Sequence, residues 1–165
     1  MSGSIARPLV GLLALLALTV PAGAVAQDAR FGATLAYGGQ DAHPLAVGVD
    51  ASLTLDAASL DPSLPEGAAL GVRVDASAPT GAPAYPALAV GGVWRQAVAG
   101  LVAYGGLGAD VRGFDVDGVR CYETAARLTA GLEVPVADAV ALRAEAVALS
   151  SGRLSAGLGV TFALP

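Results

Sequence analysis

Residues 139–164 read AVALRAEAVALSSGRLSAGLGVTFAL, two alternating runs joined by Ser150, Ser151 and Gly152. In the second run the even positions are Leu154, Ala156, Leu158, Val160, Phe162 and Leu164. The odd positions are Arg153, Ser155, Gly157, Gly159 and Thr161. Side chains two residues apart leave a β-strand on one face, so this run has one apolar and one polar face. Most of the chain upstream repeats the pattern.

Turn-rich breaks divide residues 27–165 into eight alternating segments. They are Arg30–Gly38, Leu45–Leu55, Ala68–Ser77, Tyr85–Gln96, Val98–Arg112, Val119–Val134, Ala139–Leu149 and Arg153–Leu164. Several reach the roughly 9–11 residues a tilted strand needs to cross a bilayer. The connections are short except Asp56–Gly67, where an extra strand or altered pairing near Leu60–Leu64 is one reading.

Sorting by parity gives two faces. One is apolar along its length, with Leu35, Val47, Val72, Val90, Leu107, Leu128, Leu142 and Leu158 among its members. The other carries Asp50, Arg73, Asp75, Arg95, Asp110, Arg112, Glu123, Arg127, Arg143 and Glu145. A soluble β-barrel that binds an apolar ligand would turn the first face inward. A membrane barrel would turn it outward. Parity alone leaves both open.

Three features favour the membrane barrel. The ten charged residues are five Arg and five acids, a set able to pair within a closed interior. Unpaired, each would cost several kcal/mol to bury. Glycines share that face, among them Gly32, Gly71, Gly91, Gly100, Gly108, Gly131 and Gly159, leaving room for long side chains. The aromatics of the apolar face fall near segment ends: Phe31, Trp94 and Phe162 at one rim, Tyr37 and Tyr122 at the other. Aromatic belts suit the two membrane interfaces. The expected architecture is all-β: an eight-stranded antiparallel up-and-down transmembrane β-barrel. Eight strands enclose a space that side chains can fill, so a polar plug is expected in place of a channel.

Composition limits the alternatives. Of 165 residues, 55% are hydrophobic and 14% charged, and the formal net charge is −5. Every basic side chain but the single His43 is an Arg, and the arginines are scattered, so there is no clustered basic face for nucleic acid. One cysteine, Cys121, cannot form an internal disulfide or build a zinc site with His43, and reads as a strand filler. The first 26 residues predict a secretory signal: Arg7, an apolar run Leu9–Val20, Pro21, then small residues to a cleavage site after Ala26. The barrel domain is then 27–165.

With these residues in place, the chain resembles the small eight-stranded outer-membrane barrels of the outer-membrane protein A and X type. The carriers are the signal segment, the alternating strands and the hairpin LRAEAVALSSGRLSAGLGVTFAL. The resemblance implies a monomeric barrel in a Gram-negative-type outer membrane, contacting lipid and assembled by the barrel-assembly machinery. Family members commonly end on an aromatic residue that this machinery reads; here the nearest candidate is Phe162. Some small barrels are lipid-modifying enzymes with His, Ser and an acid at the outer rim. Asp41, His43, Ser150 and Ser151 lie in the first and last outer loops, but their spacing matches no motif. Asp115 and Asp117 with Asp41 could cluster oxygens for calcium, yet the Asp-Val-Asp-Gly run more simply marks a turn. The expectation is a non-catalytic protein with a structural or envelope-interaction role, no cofactor and no metal.

Overall fold

The structure, a computed structural model, describes residues 28–38, 45–80 and 86–164. The signal segment, Asp41, His43 and the expected strand start at Tyr85 lie outside the described residues. Eight strands follow one another: β1 (Asp28–Gly38), β2 (Leu45–Asp56), β3 (Ala68–Pro79), β4 (Ala87–Val98), β5 (Leu101–Val116), β6 (Val119–Ala137), β7 (Val140–Leu149) and β8 (Leu154–Ala163). Each pairs antiparallel with its neighbours, and β1 pairs with β8, so the sheet closes on itself. Closure removes the edges that would leave backbone groups unpaired in hydrocarbon.

The two faces point as a membrane barrel requires. Leu107 and Leu158 are 72% and 71% exposed on the outer wall, while Arg143 is 2% exposed inside. That is the reverse of a soluble barrel with an apolar interior. Among the described residues, outward positions carry no ionised side chain within the wall; Asp115 and Arg120, opposite one another in register, lie near the tip of the β5–β6 hairpin.

The strand ends differ most from the sequence expectation in three places. Val98 belongs to β4, because Ala99 (φ 49°) and Gly100 (φ 81°) form a two-residue turn before Leu101. Gly100 is thus a turn residue and does not face the lumen. Positive φ at both central residues matches the right-handed twist of the flanking strands. Asp117 (φ 52°) and Gly118 (φ 80°) make the same kind of turn, so residues 113–116 continue β5 where a loop was expected. Strand β6 runs past Pro135 to Ala137 through a register shift between these two residues. The missing proline N–H is accommodated at this irregularity near the strand's end.

The Asp56–Gly67 connection holds no extra strand. A 3₁₀ turn, Ala57–Ser59, follows β2, and the Asp56 carboxylate accepts the Ala58 N–H at 3.2 Å. Asp61 then accepts the Ser63 N–H at 2.9 Å. That backbone hydrogen bond holds the Asp61 carboxyl below its ordinary range. Short-range Asp caps explain a long connection without strand pairing.

Candidate functional site

The lumen gathers the charged face into one body of ion pairs. Near the end that carries Asp28 and Ala163, Glu133 is fully buried on β6. Its carboxylate accepts from Arg30 Nη1 at 2.9 Å, Arg95 Nη1 at 3.1 Å and Thr161 Oγ1 at 3.2 Å. Arg95 also donates to Ser52 Oγ at 3.3 Å. Four strands are thereby tied to the Glu133 strand across the barrel interior.

A second layer sits above. Arg143 grips Asp50 with both terminal nitrogens and also donates to Thr34. Such forked pairing is the strongest geometry a guanidinium offers. Arg73 donates to Glu145 at 2.5 Å and Asp75 at 2.6 Å, and lies 3.6 Å from Asp50. Tyr104 donates its hydroxyl to Glu145 at 2.8 Å, while Arg73 and Arg95 stand 5.7 and 5.8 Å from its ring centroid. Both distances allow a cation–π attraction.

Glycines make this packing possible. A Cβ on Gly131, directly across from Tyr104 in the β5–β6 register, would lie 2.4 Å from the tyrosine ring. A Cβ on Gly32 would lie 2.6 Å from the Asp50 carboxylate. The tyrosine and the Asp50–Arg143 pair therefore occupy space that any other residue would fill.

The third layer is looser. Arg127 donates to Asp75 at 3.3 Å and approaches Asp110 at 3.9 Å. Above it opens a cup of about 330 Å³, with Asp50, Asp75, Asp110, Arg127 and Glu145 at its floor. Arg112 lines this cup and faces Glu123 across the β5–β6 register. Glu123 pairs with Arg153 at 3.5 Å at the half-exposed rim, apart from the buried layers.

The ten charged residues singled out in sequence thus divide. Asp50, Arg73, Asp75, Arg95, Arg127, Arg143 and Glu145 meet in the buried layers, Asp110 borders them, and Arg112 and Glu123 stand at the mouth. Glu133 and Arg30 were missed, although each carried the signal. Glu133 shares the odd parity of Arg127, Thr129 and Gly131, and Arg30 the even parity of Gly32 and Thr34.

The aromatics lie on the outer wall, with Phe31 paired to Phe162 across the β1–β8 seam and Trp94 beside Gly105. Tyr37 and Tyr122 are exposed toward the opposite end. At the rim, Ser150 Oγ accepts the Ala126 N–H at 3.0 Å and its own N–H donates to Ala126 O at 2.9 Å. That hydroxyl extends the β6–β7 ladder. Asp115 accepts the Gly118 N–H at 2.7 Å, closing its turn. Cys121 lies on β6 opposite Phe114.

No protein-family model and no curated protein matches the chain. Solved structures do. The N-terminal β-barrel domain of Pseudomonas aeruginosa OprF superposes with a TM-score of 0.63 at 14% identity, covering 83% of this chain and 97% of that one. The fold is that of the small eight-stranded outer-membrane barrels. Ail, the attachment invasion locus protein of Yersinia pestis, gives 0.56 at 13% identity over 83% and 97% of the two chains. A de novo designed transmembrane β-barrel gives 0.52 at 15% identity over 83% and 95%. Identities this low establish the architecture and leave the role to the residues.

Proposed function

We propose that this protein is a non-catalytic, monomeric barrel of a Gram-negative-type outer membrane, with a structural or envelope-contacting role and an interior closed to solutes. One observation carries the reading: Glu133, fully buried, is held by Arg30 and Arg95 from across the lumen. In a narrow barrel such a pair locks the path, because opening it would strand buried charge. The apolar, charge-free outer wall supports residence in lipid, and the edgeless sheet supports a single-chain unit. Phe162 on the closing strand is the residue offered to the assembly machinery.

The test has two arms. Cell fractionation should recover the protein only with outer membrane and detergent, with heat-modifiable gel mobility. In planar bilayers, the purified barrel should show no stepwise conductance. Recovery in the soluble periplasm would refute the location, and steady conductance steps would refute the closed interior.

A further inference from the structure

The cup at the end away from the chain termini is not used by the reading above. Its volume, about 330 Å³, lies at the lower end of the range for small-ligand pockets. Two chemistries share its lining. Ala36, Ala46, Pro79, Phe114 and Leu154 give it an apolar wall. Its floor and mouth carry ionised groups of both signs, beside the hydroxyls of Ser77 and Ser155. We infer that the cup binds a neutral saccharide, with one pyranose ring seated on the floor against Phe114.

The mixture of signs selects against a charged ligand. Arg127 donates to Asp75 at 3.3 Å and stands 3.9 Å from Asp110, on which Arg112 is the leading opposite charge. Arg73 holds Glu145, and Arg143 holds Asp50. A cation drawn to any of these carboxylates meets the guanidinium beside it, and an anion meets the reverse. Prising such a pair apart strands a buried charge. A wholly apolar ligand fails for another reason. It would strip water from the ionised floor and return no hydrogen bond.

A sugar hydroxyl meets both demands. It donates one hydrogen bond and accepts others, so one group can bridge a carboxylate and a guanidinium without parting them. Asp75 and Arg127 are the pair placed for this. Their side chains are 16% and 12% exposed, against 2% and 0% for Asp50 and Arg143. Ser77 and Ser155 offer the same two-way capacity higher on the wall.

The wall completes the match. One face of a pyranose is a row of C–H groups, and these pack on the electron-rich face of an aromatic ring. Phe114 lines the cup and is 39% exposed, an apolar surface that the barrel itself leaves uncovered.

Titration of the full barrel in zwitterionic lipid nanodiscs tests this. The probes are the methyl glycosides of glucose, galactose and mannose, the corresponding amino sugars and uronates, and cyclohexanol. Amide shifts at Ser77 and Gly113 are read. At least one methyl glycoside should give saturable shifts. Its amino-sugar and uronate counterparts, and cyclohexanol, should each bind about tenfold or more weakly. Its affinity should change less than about twofold between about 0.05 and 0.5 M salt, because screening acts on charged ligands. Phe114→Ala, on the protruding β5–β6 ribbon, should weaken it about fivefold or more. Ser155→Leu, which fills the cup and leaves its charges alone, should abolish the shifts. Saturable shifts with none of the three glycosides would overturn the proposal. So would a charged or apolar probe that binds as tightly as the best glycoside, or undiminished affinity in either folded variant.

Discussion

At the end of the lumen nearest the chain termini, Glu133 accepts two guanidiniums and a threonine hydroxyl and is cut off from solvent. At the other end, Asp110 borders an open cup, with an Arg127 nitrogen 3.9 Å from its carboxylate. Both halves are built from arginines and carboxylates on the same face of the same strands. The difference lies in how tightly the lumen closes over each acid. Glu133 is reached from β1, β4 and β8 within hydrogen-bond distance, whereas Arg127 stands 3.9 Å from Asp110 and the cup above it is open. Residue type therefore makes a lumen polar, and convergence makes it closed.

The sharpest way to break this contrast is to remove the convergent acid. Glu133→Gln leaves Arg30 and Arg95 without their shared carboxylate, and should destabilise the barrel by about 3–5 kcal/mol in urea unfolding from lipid vesicles. A loss below about 1 kcal/mol would show that the inner half is not held by charge pairing. The outer wall gives the next largest effect. Leu142→Arg puts a cation into lipid one residue from the buried Arg143, and should cost about 2–4 kcal/mol near the midplane. Leu142→Ala is the reference, and equal stability of the two variants would refute the assigned sidedness.

Gly131→Ala sharpens the comparison within the middle layer. Its new Cβ would press the Tyr104 ring at 2.4 Å and the Ala144 carbonyl at 2.6 Å. Overpacking of this kind costs about 1–3 kcal/mol, and the same unfolding assay reads it. The smallest effect belongs to the rim. Arg153→Ala removes a half-exposed pair with Glu123 and should change stability by about 0–1 kcal/mol. A rim loss matching that of Glu133→Gln would erase the distinction between the two ends.

Much of the architecture was readable because alternation is a local signal. Leu154, Leu158 and Phe162 against Ser155, Gly159 and Thr161 state both the strand and its two faces. Strand ends were less legible. Ala99–Gly100 was absorbed into a strand because alanine gives no hint of the positive φ it adopts there. Residues Gly113–Val116 read as a loop because glycine and aspartate mark turns, yet β5 carries them outward as half of a two-stranded ribbon.

The ion pairs were legible as a set and illegible as a network. Parity places Arg73 and Glu145 on one face, but only the barrel's closure brings β3 and β7 within 2.5 Å of each other through these side chains. Glu133 is hard to read from sequence because it lies next to Val134 and Pro135, where proline signals a strand's end. The cup was not foreseeable from composition. It arises where the mouth-facing halves of the strands carry Ala36, Ala46 and Ser77 in place of long side chains.

The seam where β1 meets β8 joins the first described strand to the last, from Arg30 opposite Ala163 to Gly38 opposite Ser155. No earlier portion of the chain can stand in for that partner. A ribosome-bound or partly exported chain therefore presents two raw borders, and the cylinder becomes lipid-compatible only once both are in hand.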